Sequence, residues 1–112
     1  MLDDIRDGHI IAPHRLAKRL DIPMGQLARM VRADATVLTT APASLAVQSG
    51  LDMIERIIIR ATALSGDEQK AIRWFRHQPL SGFGQTAAAL VEAGRATAVL
   101  WTLGSMEQGV YT

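Results

Sequence analysis

Between Ala43 and Leu64 the apolar residues Val47, Leu51, Ile54, Ile58 and Ala61 recur at alternating spacings of four and three. That rhythm makes one stripe on an α-helix. Ile57 and Ile59 flank the stripe, so the middle of the segment is apolar over most of its circumference. A helix of this kind is buried on two sides. Its second side predicts either another domain face or another subunit, and we take it as the candidate contact of a homodimer. A chain of 112 residues with 48% hydrophobic and 21% charged residues has enough apolar material for one domain, or for one unit of two small helical parts. Aromatics are only 4%, and alanine and leucine dominate, which favours helices packed through aliphatic side chains.

The rest of the chain reads the same way. PHRLAKRL, from Pro13 to Leu20, predicts a helix, and DIP breaks it, because the residue before a proline avoids the helical region. MGQLARMVRA predicts a second short helix. ATVLTTAPAS reads as a connector with an extended piece at Val37–Leu38. After the long helix, SGDE matches a capping box, with Ser65 as cap and Glu68 reaching back. A helix carrying KAIRWFRH follows, then the loop QPLSGFGQ. Thr86 opens the helix TAAALVEA, which Gly94 closes, and Arg95 to Gln108 forms the last helix on the stripe Val99, Leu103 and Met106. No strand pattern and no fixed-period repeat is visible. The expected fold is all-α, with residues 1–64 as a helix-turn-helix-like part plus connecting helix and 65–112 as a second helical part.

The amino-terminal pair has the spacing of a helix-turn-helix. Leu16, Ala17 and Leu20 fall on one inner face, Ile22 plugs the turn, and Leu27 and Met30 anchor the second helix. Asp21 stands where a turn glycine is common, and aspartate tolerates the left-handed conformation better than most residues. From Pro13 to Arg32 the chain holds Arg15, Lys18, Arg19, Arg29 and Arg32 against Asp21 alone, whereas from Ala41 onward acids and bases balance. The exposed positions collect Arg15, Lys18, Gln26, Arg29 and Arg32, residues suited to DNA: cations for phosphates, Gln26 and Arg29 for base edges. The same pattern also describes a structural helical pair with a solvated basic face.

Other chemistry finds little support. The chain has no cysteine, so disulfides and thiolate metal sites are excluded. His9, His14 and His77 have no partner at metal-ligand spacing. SGFGQ lacks the lysine and hydroxyl of a phosphate loop, and no serine, histidine and acid combination has a recognisable context. We expect no enzyme activity, no cofactor and no metal. MLDDIRDGH is not a signal peptide, and the longest apolar run, Ala87 to Val91, is too short for a membrane. The expected location is the cytoplasm.

The closing stretch, LWTLGSMEQGVYT, carries Val110 and the single tyrosine, Tyr111, past the stop signal at Gly109. From the residues alone, Tyr111 either packs back on the last helix or is received by another molecule. Trp101 is offset from its helix stripe and sits either at an interface or partly buried. Trp74–Phe75, Pro79–Leu80, Leu90–Val91 with Gly94, Val99–Leu100, Leu103 and Gly109–Val110–Tyr111 occur in an order and spacing that resembles the Xre/MbcA/ParS antitoxins. The likeness to their carboxy-terminal toxin-binding domain runs from Lys70 to Thr112. It departs from the family at Ala87, where proline often opens the penultimate helix.

The resemblance implies an antitoxin that neutralises a RES-domain toxin, an enzyme that consumes NAD or transfers ADP-ribose from it. It implies that the carboxy-terminal segment covers or enters the toxin's NAD cleft, with Trp101, Glu107, Gly109, Val110, Tyr111 and Thr112 as toxin contacts. A tyrosine supplies apolar area and a hydroxyl at small entropic cost, and a terminal carboxylate suits a cleft charged to hold a pyrophosphate. Operator binding by a dimer would add autoregulation. The alternative is a stand-alone helix-turn-helix transcriptional regulator.

Overall fold

The computed structural model describes residues 3–109. Among them lie seven α-helices and one small hairpin: β1 Arg6–Asp7, β2 Ile10–Ile11, α1 Pro13–Leu20, α2 Met24–Val31, α3 Ala35–Thr40, α4 Leu45–Ser65, α5 Glu68–His77, α6 Ala87–Glu92 and α7 Ala96–Glu107. The fold is all-α. The chain divides into two compact units, Met1–Glu55 and Arg56–Thr112.

In the first unit, α1 starts on Pro13, whose missing N–H costs nothing in a first helical turn. It ends at Asp21 in the left-handed conformation, φ 58° and ψ 48°. The Asp21 N–H donates to the Lys18 carbonyl and the Ile22 N–H to that of Ala17. These bonds close α1 and swing the chain into α2. Leu16, Ala17, Leu20, Ile22, Leu27 and Met30 are all buried, as the spacing predicts for a helix pair packed through small and branched side chains.

Two expectations need correction here. The amino-terminal stretch is not strandless: Arg6 pairs with Ile11 and Asp7 with Ile10 in an antiparallel hairpin. Its two-residue loop has positive φ at Gly8 and not at His9, the pattern of a type II′ turn. The extended piece expected at Val37–Leu38 is α3 instead. Leu38 is buried, and Thr39 and Thr40 both donate Oγ hydrogen bonds to the Thr36 carbonyl at 2.9 and 2.8 Å. One buried anchor outweighs the weak helix propensity of threonine and valine.

The amino-terminal half of α4 closes this unit. Val47, Leu51 and Ile54 are buried, and Gln48 reaches the hairpin. Its Oε1 accepts from the Ile11 N–H at 2.8 Å, and its Nε2 donates to the carbonyls of Ile11 at 2.9 Å and Pro42 at 2.8 Å. Arg6 donates to Glu55 at 2.6 Å.

In the second unit, Ile57, Ile58 and Ala61 continue the buried stripe, while Ile59 is 43% exposed. The expected capping box is also corrected. Ser65 is the last residue of α4, and its Oγ donates to the Asp67 carbonyl. The cap is Asp67, whose carboxylate accepts from the Gln69 N–H at 3.2 Å. Helix α5 buries Ala71, Ile72 and Phe75. The loop to α6 is pinned by Leu80, buried, whose N–H donates to the Gln85 carbonyl at 2.8 Å. Thr86 caps α6 as expected, its side chain accepting from the Ala89 N–H. On α7 the buried positions are Val99, Thr102 and Leu103, and Thr102 satisfies its hydroxyl on the Ala98 carbonyl at 3.0 Å. Met106, expected on this stripe, is only half-buried.

Candidate functional site

The predicted DNA-contacting residues all lie on the first unit. Lys18, Arg29 and Arg32 are exposed and Gln26 half-buried. Arg32 adopts the left-handed conformation, φ 59° and ψ 45°, as the carboxy-terminal cap of α2. Arg15 is also exposed, but its guanidinium donates to the Arg6 carbonyl at 2.8 Å, so it braces the hairpin.

The predicted toxin contacts lie at the end of the second unit. Trp101 is 68% exposed, an indole left outside its own helix core. Glu107 closes α7 and forms a fork with Arg60 of α4: Nε to Oε2 at 2.9 Å and a terminal nitrogen to Oε1 at 2.7 Å. That hydrogen bond and the attraction of the guanidinium hold the Glu107 carboxyl below its ordinary value, and the carboxylate raises Arg60. Gly109 then turns the chain at φ 73°, its N–H donating to the Met106 carbonyl at 3.1 Å. Val110, Tyr111 and Thr112 lie outside the described residues.

Two features of this unit escape a reading of the sequence. An apolar cavity of about 120 Å³ opens between Ala61 and Leu64 of α4, Ala71 and Trp74 of α5, and Leu103 and Met106 of α7. Leu64 stands at it 38% exposed. Trp74 also lines a shallow cleft of about 320 Å³ with Lys70, Arg73, His77 and Gln78. The i, i+3, i+4, i+7 spacing of Lys70, Arg73, Trp74 and His77 is the one readable signal, placing them on a shared helix face. Of the other arginines here, Arg95 sits over the Phe83 ring at 5.3 Å from its centroid, a cation–π contact.

Among the described residues, no three His, Cys, Asp or Glu side chains converge as a metal site. None of the described helices is long and apolar enough to cross a membrane.

Comparison with known proteins adds one positive finding. Residues 60–109 match the family described as the antitoxin Xre/MbcA/ParS C-terminal toxin-binding domain. No curated protein and no solved structure matches the chain. The matched stretch begins at Arg60, ten residues before the Lys70 at which the sequence likeness is read to start, and it ends at Gly109, so α5, α6 and α7 lie inside it. The segment from Arg60 to Gly109 is thus similar to the carboxy-terminal toxin-binding domain of the Xre/MbcA/ParS antitoxins.

Proposed function

We propose that the protein is a cytoplasmic, non-enzymatic antitoxin that neutralises a RES-domain toxin by blocking the toxin's NAD site with its carboxy-terminal segment. The observation that carries this reading is the match of residues 60–109 to the toxin-binding domain of the Xre/MbcA/ParS antitoxins. The geometry is compatible. The Arg60–Glu107 fork fixes the last turn of α7, and Gly109 follows it with a positive φ that ends the helix. Val110, Tyr111 and Thr112 follow as the segment proposed to enter the cleft, with Trp101 as an exposed aromatic anchor of the type that dominates interface energetics. The first unit adds operator binding through Lys18, Gln26, Arg29 and Arg32, with Arg15 beside them, presented in duplicate by a homodimer.

The test is co-expression with the product of the adjacent gene, followed by co-purification and an NAD-consumption assay. The full chain is expected to form a complex and suppress turnover. A chain truncated after Gln108 is expected to lose suppression by at least tenfold in the concentration required. Undiminished suppression by the truncated chain removes the blocking mechanism while leaving the antitoxin role. No complex and no suppression by the full chain would favour the stand-alone regulator.

A further inference from the structure

Most cations near the ends of these helices have partners. Arg6 is on Glu55, Arg60 on Glu107 and Arg95 on Phe83, and Arg76 is also engaged. Lys70 and Arg73, like Arg56 of the same unit, are exposed and have no hydrogen-bond, ion-pair or ring partner among the described residues, and these two stand together at one recess. They border a cleft in which His77 and Gln78 add further N–H donors and no carboxylate takes part. The cleft shares Trp74 with the apolar cavity, so the indole is the wall between a cationic surface and an apolar hole.

We propose that this composite surface receives an acidic segment of the toxin, in which one leucine- to phenyl-sized side chain fills the cavity while flanking carboxylates meet Lys70 and Arg73. The inference rests on the antitoxin reading and adds to it a contact separate from the carboxy-terminal segment. The sizes agree: a dry apolar cavity of about 150 Å³ admits benzene, and this one is about 120 Å³. An apolar anchor in a pocket supplies binding energy and slows release. Charges at its border act chiefly on the encounter rate and on the choice of partner. A nucleic acid strand would use the two cations and leave the cavity empty, so an acidic polypeptide fits more of the surface.

Binding kinetics of the full chain with the product of the adjacent gene test the proposal. The variants are Lys70→Glu/Arg73→Glu, Leu64→Gln and, as a control for charge reversal at an exposed cation outside the cleft, Arg56→Glu, each checked for an unchanged melting temperature. The double charge reversal is expected to slow association about tenfold at low salt, with the gap closing as salt is raised. Leu64→Gln is expected to speed dissociation severalfold, Lys70→Arg/Arg73→Lys to keep association at its original rate, and Arg56→Glu to change little. If the original chain binds and both the double reversal and Leu64→Gln match it within twofold, the surface is not a toxin contact, although the antitoxin reading stands. Self-association abolished by Leu64→Gln would give the cavity to a second copy, and a loss confined to nucleic-acid binding would give the cations to phosphates. Either overturns the proposal. Failure of the original chain to bind removes both readings together.

Discussion

A methyl group on Gly50 would stand 2.8 Å from Cβ and Cγ1 of Val31 and 3.1 Å from its Cα. Glycine inside a helix costs about 1 kcal/mol relative to alanine, so α4 gives up local stability to let the end of α2 approach. Gly50→Ala would recover that propensity and meet backbone that cannot swing aside. Overpacking of this kind costs about 1–3 kcal/mol, and with the Val31 Cα in contact the clash outweighs the recovered propensity. We expect Gly50→Ala to lower the melting temperature by several degrees; an unchanged or higher value would mean that α2 shifts freely. Single residues of this sort are poorly legible in the sequence. Gly50 lies within a strongly patterned helix, and nothing in the pattern says which neighbour comes close. The cap falls at Asp67 and not at Ser65 for a related reason: both residues cap well, and the choice depends on where α4 runs out, which α4 decides by continuing through Ser65.

Elements are more legible, wherever an apolar stripe meets a clear stop. Pro13, Asp21 and Pro23 bracket α1 and the start of α2, and Thr86 and Gly94 bracket α6 as the chemistry of caps and turns requires. The hairpin escapes the pattern although Asp7–Gly8 is a turn signal, because two-residue strands are too short to show alternation. Helix α3 escapes it because ATVLTT has local preferences that point away from a helix, and only the burial of Leu38 overrides them. How firmly the last turn of α7 is held can be checked by pH. Glu107 has a carboxyl lowered by its fork with Arg60. A lowered carboxyl contributes stability above its ordinary value, 4.5, and loses that contribution as pH falls through the lower, folded value. Glu107→Gln is therefore expected to be less stable than the original chain at pH 7 in urea titrations, with the difference shrinking well below pH 4.5. An equal gap at both pH values would show that the fork contributes through something other than the carboxylate's charge.

On the scale of the molecule, the basic segment and the family likeness fall in different parts of the sequence, and the two compact units carry them separately. Separate phenotypes should follow. Arg29→Ala/Arg32→Ala is expected to weaken binding to the operon's own promoter fragment at least tenfold and to reduce the salt slope by about two, while neutralisation of the toxin stays within twofold. Loss of both activities together would mean that the units do not act independently. The likeness to a toxin-binding domain is legible in the ordered landmarks from Trp74 to Gly109. The cleft on α5 is not, because the helical spacing of Lys70, Arg73, Trp74 and His77 does not say that their shared face borders a recess. The hairpin carries one more consequence. A short sheet with open sides is a template on which foreign strands can grow. Here the amide of Gln48 takes both the N–H and the carbonyl of Ile11, and the guanidinium of Arg15 takes the carbonyl of Arg6. Two side chains thus stand in for the missing neighbouring strands, and they make the hairpin a poor seed for aggregation.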